Sequence, residues 1–345
     1  MSIREERQYE AVDAFLSSDR RSIINACPRF GKIKVALDII RNAGYGNILV
    51  LAPRVDIFKG WEDDMDKFRF DRGTNFTTFT SIKKLDDIDY YDIVIIDEPH
   101  ELSVNQQLTL SEKIKGYRGS ILGLTGTMTQ KTRTELYDNL SLDVCYKYTI
   151  HQGVEEGILA DYQMFIHQVE LEGTIKKYGK NKMYTERRWF EVNQKVKQGA
   201  KDFRTKHFMD LKMINILQNS VAKMRKTQEL ISQFKDDRVL VFCGVTEVAD
   251  RLGISVYHSK AKEKDILLDF CVGGGKIDQL ATIKMMQAGI TINPIHKGII
   301  NYMSGNPEDS AQKICRFLGL EYDNPDKKAE IHIVSSNEDL SLIHI

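Results

Sequence analysis

The chain has 345 residues, 42% of them hydrophobic and 28% charged, with 23 glycines and 6 prolines. That is globular composition with length for about two domains, and it excludes a disordered, collagen-like or low-complexity chain. Lys and Arg number 49 and Asp and Glu also number 49, so the net charge points to no partner and only its distribution can. No apolar run approaches the roughly 20 residues that a bilayer span needs. The opening MSIREERQYE lacks the apolar core of a secretory signal. A cytoplasmic protein without a membrane partner is therefore expected. Five dispersed cysteines with no C-x-x-C pair suit a reducing compartment and argue against a disulfide framework or a zinc site.

The apolar spacing predicts a strand over 22–26, then a helix over 32–42 with Val35, Ile39 and Ile40 on one face. A buried strand follows at 47–52. A helix over 55–70 carries Trp61, Met65 and Phe68 on one side, and two further buried strands lie at 92–96 and 120–124. Strands alternating with helices imply a parallel sheet covered on both faces. The second half repeats the style, with strands at 238–243, 255–258, 279–283 and 330–334 and helices near 247–252 and 262–270. Two α/β domains are expected, over 1–155 and 156–345, with a hinge within 149–162. No repeat of solenoid period is present.

A basic, mainly helical insert is expected within the second domain, over 173–230. Between Lys176 and Lys226 about fifteen Lys or Arg face four acids, Glu186, Glu191, Asp202 and Asp210. The segment is net about +11, and the remainder is net about −11. Tyr178, Tyr184, Trp189, Phe190, Phe203 and Phe208 are interleaved with the charge. The charge asymmetry favours a nucleic-acid surface over a helical pair whose aromatics pack inward.

Ser22 to Val35, SIINACPRFGKIKV, reads as strand, glycine-bearing turn and helix. A phosphate-binding loop wants G-x-x-x-x-G-K-[ST], so that backbone N–H groups and a helix start face the phosphates and the Lys supplies a point charge. Gly31 and Lys32 stand in the right places, Ala26 takes the first Gly position and Ile33 the hydroxyl position. Alone, the turn also suits a plain strand–helix connection with a solvated lysine. Downstream, the run from Ile93 to Ile96 ends in Asp97-Glu98-Pro99-His100. A buried strand ending in two carboxylates costs desolvation unless the charges have partners. Magnesium-nucleotide chemistry supplies them, one acid for Mg²⁺ and one for the attacking water. The loop and the acid pair together favour that reading. A second Gly-Lys run, 273–276, reads as a flexible turn because no acid-ended strand pairs with it.

Together these residues resemble a superfamily 2 helicase along nearly the whole chain. Asp97-Glu98-Pro99-His100 matches the D-E-x-H of motif II, and Thr125-Gly126-Thr127 matches motif III. Leu49 to Arg54 resembles motif Ia, Gln8 the Q motif, and Val239 to Cys243 motif IV. Ala288 to Thr291, followed by Asn293, resembles motif V, and Gln312 to Gly319 resembles motif VI. Within the superfamily the compact layout, with Gly289, Thr291, Asn293 and His296, resembles phage recombination helicases of the UvsW type.

The resemblance implies two RecA-like domains and a nucleic-acid-dependent ATPase that uses ATP and Mg²⁺. It implies that Pro28, Arg29, Phe30, Gly31, Lys32 and Ile33 hold the phosphates, with Gly289 and Gln312 at the nucleotide and Gln8 on the adenine. Asp97 would hold Mg²⁺ through water, Glu98 would be the general base and Arg316 an arginine finger. His100, Thr125 and Thr127 would couple that site to the nucleic-acid path, for which Arg54, Thr80, Ser81, Thr291 and Trp189 are candidates. Single-stranded or branched DNA is the expected partner. An RNA helicase, or an ATP-binding clamp with weak hydrolysis, are the alternatives. Ile33, Cys315 and Gly319 depart from the usual motifs.

Overall fold

Wherever an uninterrupted apolar run was long enough, it became an inner strand of a parallel sheet. The structure is a computed structural model. It describes residues 1–171, 173–178, 182–258, 265–272, 277–283, 295–303, 307–320 and 326–340. The chain divides into two compact units, one spanning Met1–Leu159 and the other beginning at Ala160.

The first unit runs α1 (Ile3–Leu16), β1 (Arg21–Ala26), α2 (Lys32–Ala43), β2 (Ile48–Ala52), α3 (Asp56–Lys67), β3 (Thr74–Thr78), β4 (Ile93–Asp97), α4 (Val104–Lys113), β5 (Ser120–Thr125), α5 (Gln130–Leu140), β6 (Asp143–Tyr148) and α6 (Ile150–Glu155). Its strands form one all-parallel sheet in the order β3-β2-β4-β5-β1-β6. The inner strands β2, β4 and β5 are buried along their whole length, as a parallel sheet covered on both faces requires. Helix α1 starts in a capping box between Ser2 and Glu5, and α2 ends at Gly44 in the left-handed conformation. The polar TNFTT of β3 and the mixed DVCYKY of β6 lack an apolar run because they are the sheet edges.

The second unit opens with β7 (Asp161–Val169). It continues with a hairpin, β8 (Thr174–Tyr178) and β9 (Lys182–Thr185), then α7 (Glu186–Gly199), α8 (Phe203–Gln218) and α9 (Val221–Gln233). There follow β10 (Val239–Phe242), α10 (Thr246–Ala249), β11 (Ser255–Tyr257), α11 (Asp265–Val272), β12 (Gln279–Thr282), β13 (Lys297–Ile300), α12 (Pro307–Cys315), β14 (Lys328–Ser336) and α13 (Asn337–Leu340). The sheet order is β11-β12-β10-β13-β14-β7, again all parallel.

The basic segment thus starts as an antiparallel hairpin and becomes helical only from Glu186. Its helices hold a small core of Leu171, Phe190, Met213, Ile216 and Leu217. Buried Glu186 ties α7 to the start of α9, accepting from Ser220 Oγ at 2.8 Å and Val221 N at 2.6 Å. Buried Lys223 pairs with Asp339 at 3.0 Å. No helix among the described residues is long and apolar enough to cross a membrane.

Strands β7 and β14 carry a histidine pair, with His167 Nε2 2.9 Å from His332 Nδ1. Burial, and then the charge His167 would carry, hold the His332 pKa down to about 4. An unfolded histidine titrates near 6.5, so the unfolded chain binds more protons between the two values. This group's stabilisation is therefore complete above about pH 6.5 and is lost as pH falls toward 4. Denaturant unfolding of wild type and His332→Gln across that range should show a steeper acid loss in the wild type.

Candidate nucleotide site

The turn after β1 is built around left-handed backbone. Arg29 has φ +65° and Gly31 φ +90°. A Cβ on Gly31 would lie 2.4 Å from Gln8 Nε2, so only glycine fits there without displacing a neighbour. Buried Gln8 reaches from α1 and donates its amide to the Phe30 carbonyl at 2.6 Å. In this structure the glutamine braces the loop through that bond. Phe30 is itself core, packed on Tyr146 and Tyr148. No side chain caps α2 at Gly31, and an uncapped helix start leaves first-turn N–H groups for an anion.

Opposite stands the end of β4. Asp97 is buried and accepts from Trp61 Nε1 at 2.9 Å. Burial, then the neighbouring Glu98 charge, push its pKa well above the usual carboxylate range, against the opposing pull of Trp61 and Lys32. Glu98 adopts a left-handed conformation, φ 56° and ψ 57°, so the chain turns sharply between the two adjacent acids. Its N–H donates to the Leu124 carbonyl at 2.8 Å, and its Oε1 lies 3.9 Å from Lys32 Nζ. Glu98 Oε2 is 3.4 Å from His100 Nδ1. That nitrogen is 2.9 Å from Thr125 Oγ1, and the Thr125 hydroxyl donates to the Thr127 carbonyl at 3.0 Å. Thr127 Oγ1 is buried without a hydrogen-bond partner. A Cβ on Gly126 would stand 3.2 Å from Lys32 Nζ and 3.4 Å from Pro28 Cγ. The β5–α5 turn therefore closes on the loop.

One compact centre thus brings together Gln8, Pro28, Gly31, Lys32, Asp97, Glu98, His100, Thr125 and Thr127. Ile33 is half-buried at the second position of α2 and offers no oxygen. The donor set fits a phosphate cradle and a cation held by carboxylate, one hydroxyl short of the usual complement. Sequence reasoning did not find the Trp61 bond to Asp97 or the role of Gly126. The signal for the first was a tryptophan on the helix after the neighbouring strand β2.

The other candidates belong to other elements of the first unit, or to the second. Arg54 Nε is 3.6 Å from Asp56 Oδ1, and Arg54 Nε and Asp56 Oδ2 are both buried without hydrogen-bond partners. Thr80 and Ser81 sit on a 3₁₀ turn after β3, where the Thr78 hydroxyl bridges them at 2.9 and 3.3 Å. In the second unit Gln312 lies on α12 and Arg316 just beyond it. Trp189 packs half-buried against the small helical core. Gly289, Thr291, Asn293 and the 273–276 turn fall outside the described residues.

No known family profile matches the chain. The chain is 25% identical over 351 aligned residues to a DNA 3'-5' translocase, XPB2, of Sulfurisphaera tokodaii, covering 90% of this chain and 77% of that protein. These are remote relatives. A type I restriction enzyme EcoAI endonuclease subunit of Escherichia coli is 22% identical over 165 residues, 48% of this chain but 19% of that subunit. A solved fragment of an HsdR subunit of a type I restriction enzyme from Vibrio vulnificus shares the fold at TM-score 0.64 and 19% identity, covering 96% of this chain and 63% of that one. The chain therefore spans less than two thirds of the restriction-enzyme chains it matches.

Together these likenesses show a parallel-sheet α/β fold shared with the restriction-enzyme fragment and a remote likeness to a DNA translocase along most of the chain. They lend nothing to the finer likeness to phage recombination helicases, whose Gly289–His296 signature lies mostly outside the described residues.

Gly31→Ala should meet both the positive φ and Gln8 Nε2. We expect a loss of about 1–2 kcal/mol in denaturant unfolding, of which Gln8→Ala in the same chain should relieve the contact but leave the backbone strain.

Proposed function

We propose that this chain is an ATP-dependent DNA translocase or helicase of superfamily 2, acting on single-stranded or branched DNA in replication, recombination or repair. The observation that carries the reading is the convergence of Lys32, Asp97 and Glu98 at one loop, with Lys32 Nζ 3.9 Å from Glu98 Oε1. ATP is the substrate, and Mg²⁺ held by Asp97 would neutralise charge on its phosphates.

The chain's own groups then divide the work. Lys32 holds the terminal phosphates and so draws its charge away from Glu98. Glu98 accepts the proton of the attacking water. His100 and Thr125 link Glu98 to Thr127, whose unbonded hydroxyl is free to take a new partner when the site changes state. Arg54, whose side chain is partly exposed, is assigned to a DNA phosphate, as are the hydroxyls of Thr80 and Ser81. Arg316 is assigned as the finger, and such a residue is worth roughly 10³–10⁵ in rate. Gln312, Gly289 and Thr291 keep the roles their motifs imply, and cytoplasmic residence follows from the proposed substrate.

The test is steady-state ATP hydrolysis without nucleic acid and with single-stranded DNA, branched DNA or RNA. Stimulation by DNA is expected. Stimulation by RNA alone would instead make this an RNA helicase. Glu98→Gln should abolish turnover and spare DNA binding, and turnover equal to wild type would remove Glu98 from its role. Arg316→Ala should lower stimulated turnover by roughly 10³-fold or more.

A second reading, an ATP-binding clamp with weak hydrolysis, is favoured by one observation, the apolar Ile33 at the metal-facing position. Ile33→Thr separates the two. Raised turnover in that variant, over a poorly stimulated wild type, identifies the clamp.

A further inference from the structure

The insert's aromatics divide between the two arrangements its sequence left open. Phe190 is core and Trp189 leans on it with Tyr184, ring centroids 6.0 Å apart. Two other rings face solvent on α8, Phe203 at 80% exposed and Phe208 at 55%. Met209, Met213, Ile216 and Leu217 are the buried residues of that helix. Phe203 stacks on His207 with planes 5° apart, and Lys212 Nζ lies 4.5 Å from the Phe208 ring centre.

Cations flank the rings. Lys195, Lys201, Arg204 and Lys206 are exposed and Lys212 is half-exposed. No ion pair among the described residues involves any of the five. The nearby acids are already engaged. Asp202 caps α8 through Thr205 N at 2.7 Å, and Asp210 holds Lys197 at 2.6 Å. A patch of unpaired cations around open rings repels itself and lacks an anion. Its apolar area alone would suit a protein, but its charge suits a chain that carries regular anions and flat apolar faces together.

We propose that the exposed end of the α7–α8 pair binds single-stranded DNA, with bases stacking on Phe203 and Phe208 and phosphates held by the surrounding Lys and Arg. A single strand is the occupant because its bases are open, whereas a duplex presents only phosphates and groove edges to such a surface. This rests on the reading of the chain as DNA-acting.

The experiment measures binding of the full chain, without nucleotide, to labelled oligo(dT), an abasic strand of equal length, a blunt duplex and oligo(U). Phe203→Ala with Phe208→Ala should weaken oligo(dT) binding about tenfold or more, leave the abasic strand unaffected and keep the salt slope. Phe203→Trp with Phe208→Trp should restore the grip. Lys201→Glu, Arg204→Glu and Lys206→Glu together should flatten the salt slope on both strands.

Wild-type affinity for oligo(dT) in the alanine variant overturns the stacking surface and leaves the proposed function standing. Tighter wild-type binding to the duplex or to oligo(U) overturns the single-stranded DNA assignment. Failure of the wild type to bind any DNA, with no DNA-stimulated ATP hydrolysis, overturns both readings.

Discussion

Burying a carboxylate at the end of an apolar strand is the constraint around which the first unit is organised. Asp97 ends a strand with no exposed position, and a charge in that setting survives only with donors and cations arranged for it. Trp61 supplies the donor from the helix after β2. Lys32 supplies the charge from the start of the helix after β1. Because the sheet order sets β4 between β2 and β5, and β5 beside β1, both partners arrive from elements that the topology fixes. Glu98 faces the same constraint one residue later and meets it by a left-handed turn, taking its N–H to Leu124 and its carboxylate toward Lys32 and His100. Two adjacent acids thus occupy different surroundings, the circumstance in which acid and base roles separate.

The sequence carried the fold where one physical signal sufficed. Continuous runs such as ILVLA and IVIID declare doubly covered strands without ambiguity, and their C-terminal residues then mark the functional edge. Strands that border solvent were not legible. TNFTT, for one, has no apolar run, whereas KGII, an inner strand, is merely too short to separate from a turn. Strand β7, DYQMFIHQV, carries a mixed pattern because it pairs on one side only. The hairpin of β8 and β9 escaped notice for a related reason, since the sequences TIKKY and KMYT show no regular alternation of apolar and polar residues.

The candidate site was legible to the extent that its chemistry is written in contiguous residues. Gly31-Lys32 and Asp97 to His100 could be named because backbone geometry ties each motif to its strand. Gln8 could be found by position, but its engagement with the Phe30 carbonyl depends on how α1 packs over the loop, which no local pattern encodes. The same holds for Trp189 against Phe203 and Phe208. All are aromatic residues in a basic segment, and only the register of α7 on α8 decides which of them faces solvent.

The edge strand β7 has a consequence for how the protein is made. It pairs in parallel with β14 over its whole length, Asp161 with Lys328 through Val169 with Ser336, a partner 167 residues later in the chain. At ribosomal rates of about 5–20 residues per second, β7 leaves the exit tunnel on the order of ten seconds or more before its partner exists. During that time Met164, Phe165 and Ile166 have no native strand to pair with, and loop closure over such a span is entropically slow. The nascent chain therefore carries an apolar, strand-competent segment through most of the second unit's synthesis, an opening for chaperone capture or for mispairing between neighbouring chains on a polysome.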